Sequence, residues 1–277
     1  MSNNTKYHRP KTFNSSIAII ILYKRKDLTN LAQRYSIKHE IAYYECDINQ
    51  QMTLPSLIQV MIKASEEQSD HLNRGSSYVN QLNLGWVITN YEIDVDRMPR
   101  LGEKIIFSTL ATAYNKFFCY RDFYIEDEAG NRLVTVSSVF VLMDLSTRKI
   151  KAVDDEIIAP YESEKIKKIK RFNKMQPLSN PKTSPFKVRF YDIDSNKHVN
   201  NAIYFNWLLD VLGYEFLSTH TIKNVNIRFD KEIEFGNVVD SYYETEITDN
   251  EDQIISRHQV KVSEELCCEA EILWNKL

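Results

Sequence analysis

The chain has 277 residues, more than one compact domain usually holds, so two domains or one large fused unit are expected. Hydrophobic residues at 43% and charged residues at 26% match a soluble globular enzyme and exclude a disordered chain. A formal net charge of -3 excludes a dedicated nucleic-acid binder, so an acidic partner must be met by a local basic patch.

The first stretch, to about Arg34, carries Lys6, Arg9, Lys11, Lys24, Arg25, Lys26 and Arg34 against one acid, Asp27. Residues 1–36 therefore read as an N-terminal extension. Three readings stand: a loosely ordered basic arm, an early strand built around Ile17 to Leu22, or an upstream translation start with no role. Its deletion is expected to leave activity intact. The apolar run Ile17 to Tyr23 is too short to span a bilayer and lacks a small-residue cleavage pattern, so no membrane span and a cytoplasmic location are expected.

From Met52 onward, Leu57, Ile58, Met61 and Ala64 recur at helical spacing behind Thr53, a cap, and Pro55, which the first turn tolerates. A polar turn around Asn73 to Ser77 follows. Strand-like runs rich in Val, Ile, Tyr and Phe then cover Trp86 to Val95, Lys104 to Ala113, Phe117 to Ile125 and Leu133 to Leu142. Gly102 and the pair Gly130, Asn131 mark turns between them. This first unit is placed at residues 37–158. Residues 159–179 read as a linker whose Lys165, Lys167, Lys168, Lys170 and Arg171 are a solvated crossover or a basic docking patch.

The same order recurs in residues 180–277. Ile203, Tyr204, Trp207, Leu208, Val211 and Leu212 predict a second helix, and Val225 to Phe229, Val238 to Ile247, Gln253 to Val262 and Leu266 to Trp274 predict a second meander. Ile93 to Gly102 (IDVDRMPRLG) parallels Ile227 to Gly236 (IRFDKEIEFG), so an internal duplication is inferred. The expected fold class is α+β, two long helices each wrapped by a curved antiparallel sheet, with the sheets joined edge to edge.

Cys46, Cys119, Cys267 and Cys268 form no CxxC pair and no zinc spacing, so buried free thiols, no metal and no cofactor are expected. No GxSxG elbow, Gly-rich phosphate loop or HExxH occurs either. Polar groups crowd instead just ahead of the second helix, in Tyr191 to Asn201. If that segment is extended, Asp194, Asn196 and His198 share one face, with Ser195 and Lys197 opposite. Asn200 or Asn201 then caps the helix, whose unpaired N–H groups lie beside that face.

Asp, Asn and Ser before a helix are ordinary turn residues, and a single His is commonly structural. Read functionally, the helix terminus and the Asn196 amide stabilise charge developing on a carbonyl oxygen, and His198, with a pKa near ~6.5, takes a proton from water. Asp194 orients the imidazole or itself acts as base or nucleophile; spacing does not separate these roles. The stretch before the first helix, Asp47 to Thr53, has no His and no comparable triplet, so only the second half is expected to be equipped.

Asp194, Asn196, His198, Val199, Asn200 and Asn201 stand as in the D-x-N-x-H-V-N-N motif of the acyl-[acyl-carrier-protein] thioesterases, which the chain resembles from about Tyr35 onward. Trp86, Thr89, Asp96, Arg97, Pro99, Arg121, Ser137, Ser138, Thr147 and Arg148 add to the resemblance. It implies a tandem double hotdog and hydrolysis of the thioester of a fatty acyl chain on acyl carrier protein, ending chain elongation. It also implies that Asp194, Asn196 and His198 are catalytic, with Glu234 a further carboxylate near the water. Many plant members carry Cys directly before the Gly that is Gly236 here; this chain has Phe235, so a covalent cysteine route at that position is excluded.

The resemblance further places the acyl tail inside the first unit, making Leu57, Ile58 and Met61 candidates for the pocket, with core packing as their plainer role. The expected partner is acyl-loaded acyl carrier protein, docked on the Lys165 to Arg171 run; a homodimer stays open. An acyl-coenzyme A thioesterase and a hotdog protein that only binds acyl chains are the alternatives.

Overall fold

The computed structural model describes residues 32–170, 172 and 174–277. The strand expected around Ile17 to Leu22 and most of the basic arm lie outside the described residues. The first half comprises β1 (Tyr35–Glu40), α1 (Leu54–His71), α2 (Ser76–Gln81), β2 (Leu84–Val95), β3 (Lys104–Tyr114), β4 (Phe118–Asp127) and β5 (Arg132–Asp144). Short pieces follow: β6 (Ile150–Lys151), α3 (Asp155–Ile158) and β7 (Glu164–Lys165). The second half repeats the plan with β8 (Lys182–Lys187), α4 (Asn201–Asp210), α5 (Tyr214–Thr219), β9 (His220–Phe229), β10 (Val238–Ile247), β11 (Gln253–Val262) and β12 (Glu265–Lys276).

Helix α1 starts where its sequence says. The Thr53 hydroxyl accepts a hydrogen bond from Ser56 N at 3.3 Å, and Pro55 sits in the first turn, where its missing N–H costs nothing. Leu54, Leu57, Ile58, Met61 and Ala64 are then buried on one face, the leucines, isoleucine and methionine each contributing roughly 1.5–3 kcal/mol. The second helix is shorter than expected. Helix α4 has 10 residues against 18 in α1 and stops before Gly213, whose φ of +83° needs no Cβ. Tyr204, Phe205, Trp207 and Leu208 bury its core face in one cluster with the residues of α1.

The strands form one sheet in the order β1-β3-β4-β5-β2-β9-β12-β11-β10-β8. The two meanders meet at β2 and β9, where Tyr91 pairs with Ile227 and Ile93 with Val225. Joining them hides two edges in the middle of the sheet. The inferred duplication is visible in the backbone too: Gly102 and Gly236 close the two similar segments at φ of +76° and +91°, each just ahead of a new strand.

Edge strands β1 and β8 were not expected. Each sends only one aliphatic or aromatic residue against the main core, Ile37 and Phe186, and β8 contains Pro185, which an edge tolerates because one side of the strand needs no ladder partner. The start of the expected linker is also anchored: Tyr161 is buried with its hydroxyl on Ser69, and β7 pairs in parallel with β3. All four cysteines are free, but only Cys267 and Cys268 are fully buried; Cys46 and Cys119 are half-buried. Among the described residues no helix is long and apolar enough to cross a membrane.

Candidate active site

The segment ahead of α4 is not extended. Ile193 and Val199 form a bridge, and between them the chain doubles back: Asp194 N donates to His198 O at 2.9 Å and Lys197 N to Asp194 O at 3.0 Å. Asp194 Oδ1 accepts from Asn196 N at 2.8 Å, and Lys197 takes a left-handed φ of +69°. Asp and Asn favour such turns because their short side chains bond to nearby backbone. Strand alternation is therefore not what groups Asp194, Asn196 and His198; the turn does so. Asn200 then caps α4, its side-chain oxygen accepting from Ala202 N at 2.9 Å.

All three residues line a cavity of about 810 Å³, which Glu232 and Glu234 also reach from the segment before β10. That segment is held to the turn by Val199 N donating to Ile233 O at 2.9 Å. Ile233 is buried between the two exposed glutamates, so both carboxylates point outward from the same face. The opposite wall comes from the first half: Ile58, Gln59 and Ile62 of α1, Trp86 and Ile88 of β2, and Phe140 of β5. A smaller cavity shares Ser65, Glu66, Trp86 and Phe140 with it and continues to Arg121 and Tyr161.

Of the expected pocket residues, only Ile58 lines this cavity. Leu57 and Met61, both 0% exposed, do not line it and pack within the core cluster instead.

Glu232 is the residue that sequence reasoning missed. Its Oε2 lies 3.4 Å from His198 Nε2, and the Arg148 guanidinium pairs with the same oxygen. The Glu-Ile-Glu alternation around a buried Ile was the signal, since it puts Glu232 beside Glu234. Glu234 lines the cavity and acts on His198 only through its field. Burial lowers the His198 pKa below the ordinary value, Arg148 lowers it further, and Asp194 and Glu234 partly oppose. Glu232 would favour the imidazolium, but Arg148 already engages it. The ring is held neutral and able to accept a proton.

The first half carries the same turn. Asp47 N donates to Gln51 O at 2.8 Å, Gln50 N to Asp47 O at 3.1 Å, and Asn49 N to Asp47 Oδ1 at 2.9 Å. Cys46 bridges Met52, and Gln50 takes a φ of +57°. Asp47, Asn49 and Gln51 thus match Asp194, Asn196 and His198 position for position. The expectation of no comparable triplet is corrected: only the imidazole is missing. The signal was present in the sequence, since Asp47 and Asn49 repeat Asp194 and Asn196 at the same spacing.

Residues 32–161 match the family described as the acyl-ACP thioesterase N-terminal domain, and residues 175–276 the acyl-ACP thioesterase C-terminal domain. A crystal structure from Lactobacillus plantarum, assigned as an oleoyl thioesterase, is 40% identical with a TM-score of 0.86, covering 89% of this chain and 98% of that one. The 12:0-ACP thioesterase from Umbellularia californica shares the fold at a TM-score of 0.79 and 20% identity, covering 88% of this chain and 94% of that one. The chloroplastic oleoyl-acyl carrier protein thioesterase of Coriandrum sativum is 23% identical over 242 residues, 80% of this chain and 66% of the relative. The chain thus spans just under two thirds of that relative's length.

Proposed function

The chain belongs to the acyl-ACP thioesterase family, and on that premise we propose that it hydrolyses the thioester of a fatty acyl chain on acyl carrier protein, releasing the free fatty acid. The observation that carries this reading is the His198 imidazole lining a cavity shared by the two halves, with Glu232 at 3.4 Å and Asn200 and Asn201, at the N-terminus of α4, on the same wall.

In this reading the tail lies against Ile58, Ile62, Trp86 and Phe140, where each buried methylene contributes roughly 0.8 kcal/mol, and the thioester carbonyl stops at the turn. The His198 imidazole takes a proton from water as the oxygen attacks the carbonyl carbon. Glu232 stabilises the imidazolium that forms. The Asn196 amide and the first turn of α4 face the oxyanion, which in a partly dehydrated site is worth more than in water. Collapse breaks the C–S bond, and the imidazolium returns its proton to the departing thiolate. Asp194 holds the turn together through Asn196 N, which makes it a positioning residue. Glu234 tunes the ring by its charge.

The docking face for the acidic carrier is proposed around Lys167 and Lys168, both exposed. Lys165 is engaged by Asp155 at 2.9 Å, and Lys170 lies over the Tyr120 ring, so these two are partly used within the fold. The test is release of fatty acid from acyl carrier protein loaded with chains of several lengths, beside the same chains on coenzyme A. Turnover on the protein carrier that fails with His198→Ala supports the reading; no turnover on either carrier rejects it.

A further inference from the structure

The duplication produces a second cavity, of about 740 Å³, on the other side of the pseudo-repeat. In the first cavity the turn of the second half faces Gln59 and Ile62 of α1 and the start of β2. In the second, the turn of the first half faces Asn206 and Leu209 of α4 and the start of β9. Its size falls within the roughly 300–1,000 Å³ of small-molecule sites. Met98, Trp207, Leu217 and Trp274 supply an apolar wall, and Lys187 and Arg189 border it.

The chemistry at its centre has been exchanged. Gln51 stands for His198, and along the paired segments that end at Gly102 and Gly236, Met98 stands for Glu232, whereas Arg100, the counterpart of Glu234, does not line the cavity. A base and a carboxylate are thereby replaced by an amide and a thioether. Gln51 Oε1 accepts from the Thr221 hydroxyl at 3.5 Å, which leaves its amide NH₂ as a donor. The Asp47 carboxylate is turned into its own loop, where it accepts from Asn49 N and Gln51 N at 2.9 and 3.0 Å. The N-terminus of α1 lies alongside.

We propose that this second cavity binds a free long-chain fatty acid without chemistry, its carboxylate at Gln51 and the α1 terminus and its chain along Met98, Trp207 and Trp274. The assignment rests on the hydrolase reading, because it takes the matching turn to be a cradle for an acyl carbonyl. A carboxylate suits it better than a thioester: Lys187 and Arg189 border the cavity, and the turn itself carries no base, the cavity's histidine, His220, standing on β9 with Nδ1 3.0 Å from Phe216 O.

The experiment is equilibrium dialysis of radiolabelled palmitate, below its micellar concentration, against the full chain, with acyl-carrier-protein turnover measured on the same preparations. Two palmitates per chain are expected for the parent. Leu209→Trp, which fills the second cavity, and Gln51→Glu, which places a charge against the carboxylate, should each leave one, with turnover and melting temperature unchanged. One palmitate on the parent, or two retained in both variants, overturns the proposal. A parent that binds two but hydrolyses nothing retains the second site and rejects the hydrolase reading, so the two failures are distinguishable.

Discussion

His198 Nε2 lies 3.4 Å from Glu232 Oε2, and Arg148 pairs with that same oxygen, so a cation from the first half sets the charge balance around an imidazole of the second. The base works when unprotonated, so kcat/KM should fall on the acid side as pH drops through the His198 pKa, which lies below the ordinary histidine value. Arg148→Met removes a charge that lowers that pKa, and the acid limb should move to higher pH. A limb that stays put or moves down would show that Arg148 does not govern the ring.

Replacing the imidazole itself is the direct test of its role. His198→Ala should lower kcat by about 10²–10⁴-fold, the usual worth of general base catalysis, with little change in melting temperature. His198→Gln installs the residue found in the first-half turn and should be as slow. Release of fatty acid at the parental rate by either variant rejects the mechanism.

Position on α1 separates pocket from core. Met61 does not line the cavity, so Met61→Ala should cost about 2–5 kcal/mol of stability while leaving the preferred chain length as it was. Ile62 does line it and is only partly buried, so Ile62→Phe should shift preference toward shorter chains at small cost in stability. Competition among acyl carrier proteins loaded with mixed chains, read by gas chromatography, scores both. An unchanged profile for Ile62→Phe counts against the tail lying along α1.

Charge reversal at Lys167 and Lys168 should raise KM for the carrier-bound substrate at low salt and have a weaker effect at high salt, because exposed charges are screened beyond about 8–10 Å near physiological ionic strength. The kcat should stay within about twofold, since docking precedes chemistry. An unaltered KM at low salt moves the docking face elsewhere.

His258 offers a stability test apart from catalysis. Its fully buried ring is pushed down to about 3, and Nδ1 has no hydrogen-bond partner. Between the unfolded value near ~6.5 and the folded one, the unfolded chain binds the extra proton, so stability present at neutral pH is lost as pH falls through that window. His258→Gln should flatten the acid-side decline in urea unfolding relative to the parent. Parallel declines in the two proteins would mean that other groups drive it.

Much of the architecture was legible because it is written in local periodicity. Thr53, Pro55 and the spacing of Leu57, Ile58, Met61 and Ala64 announce α1 whatever surrounds them, and the meander strands carry their own alternation. The candidate site triplet was legible for a similar reason, since Asp194, Asn196 and His198 lie within one short turn. Their grouping was correctly expected even though the backbone that brings it about is a turn and not a strand.

What only the tertiary structure decided depends on contacts between distant segments. Edge strands β1 and β8 exist because β3 and β10 offer them a ladder, a hydrogen-bonding opportunity that no alternation of Lys, His and Glu advertises. Arg148 meets Glu232 only because the sheet of the first half runs on into that of the second. Ile58, but not Leu57, faces the cavity because of how α1 is rotated against α4. Side-chain periodicity fixes which elements form, whereas the burial and charge that set a pKa or a pocket wall come from neighbours that the order of residues does not name.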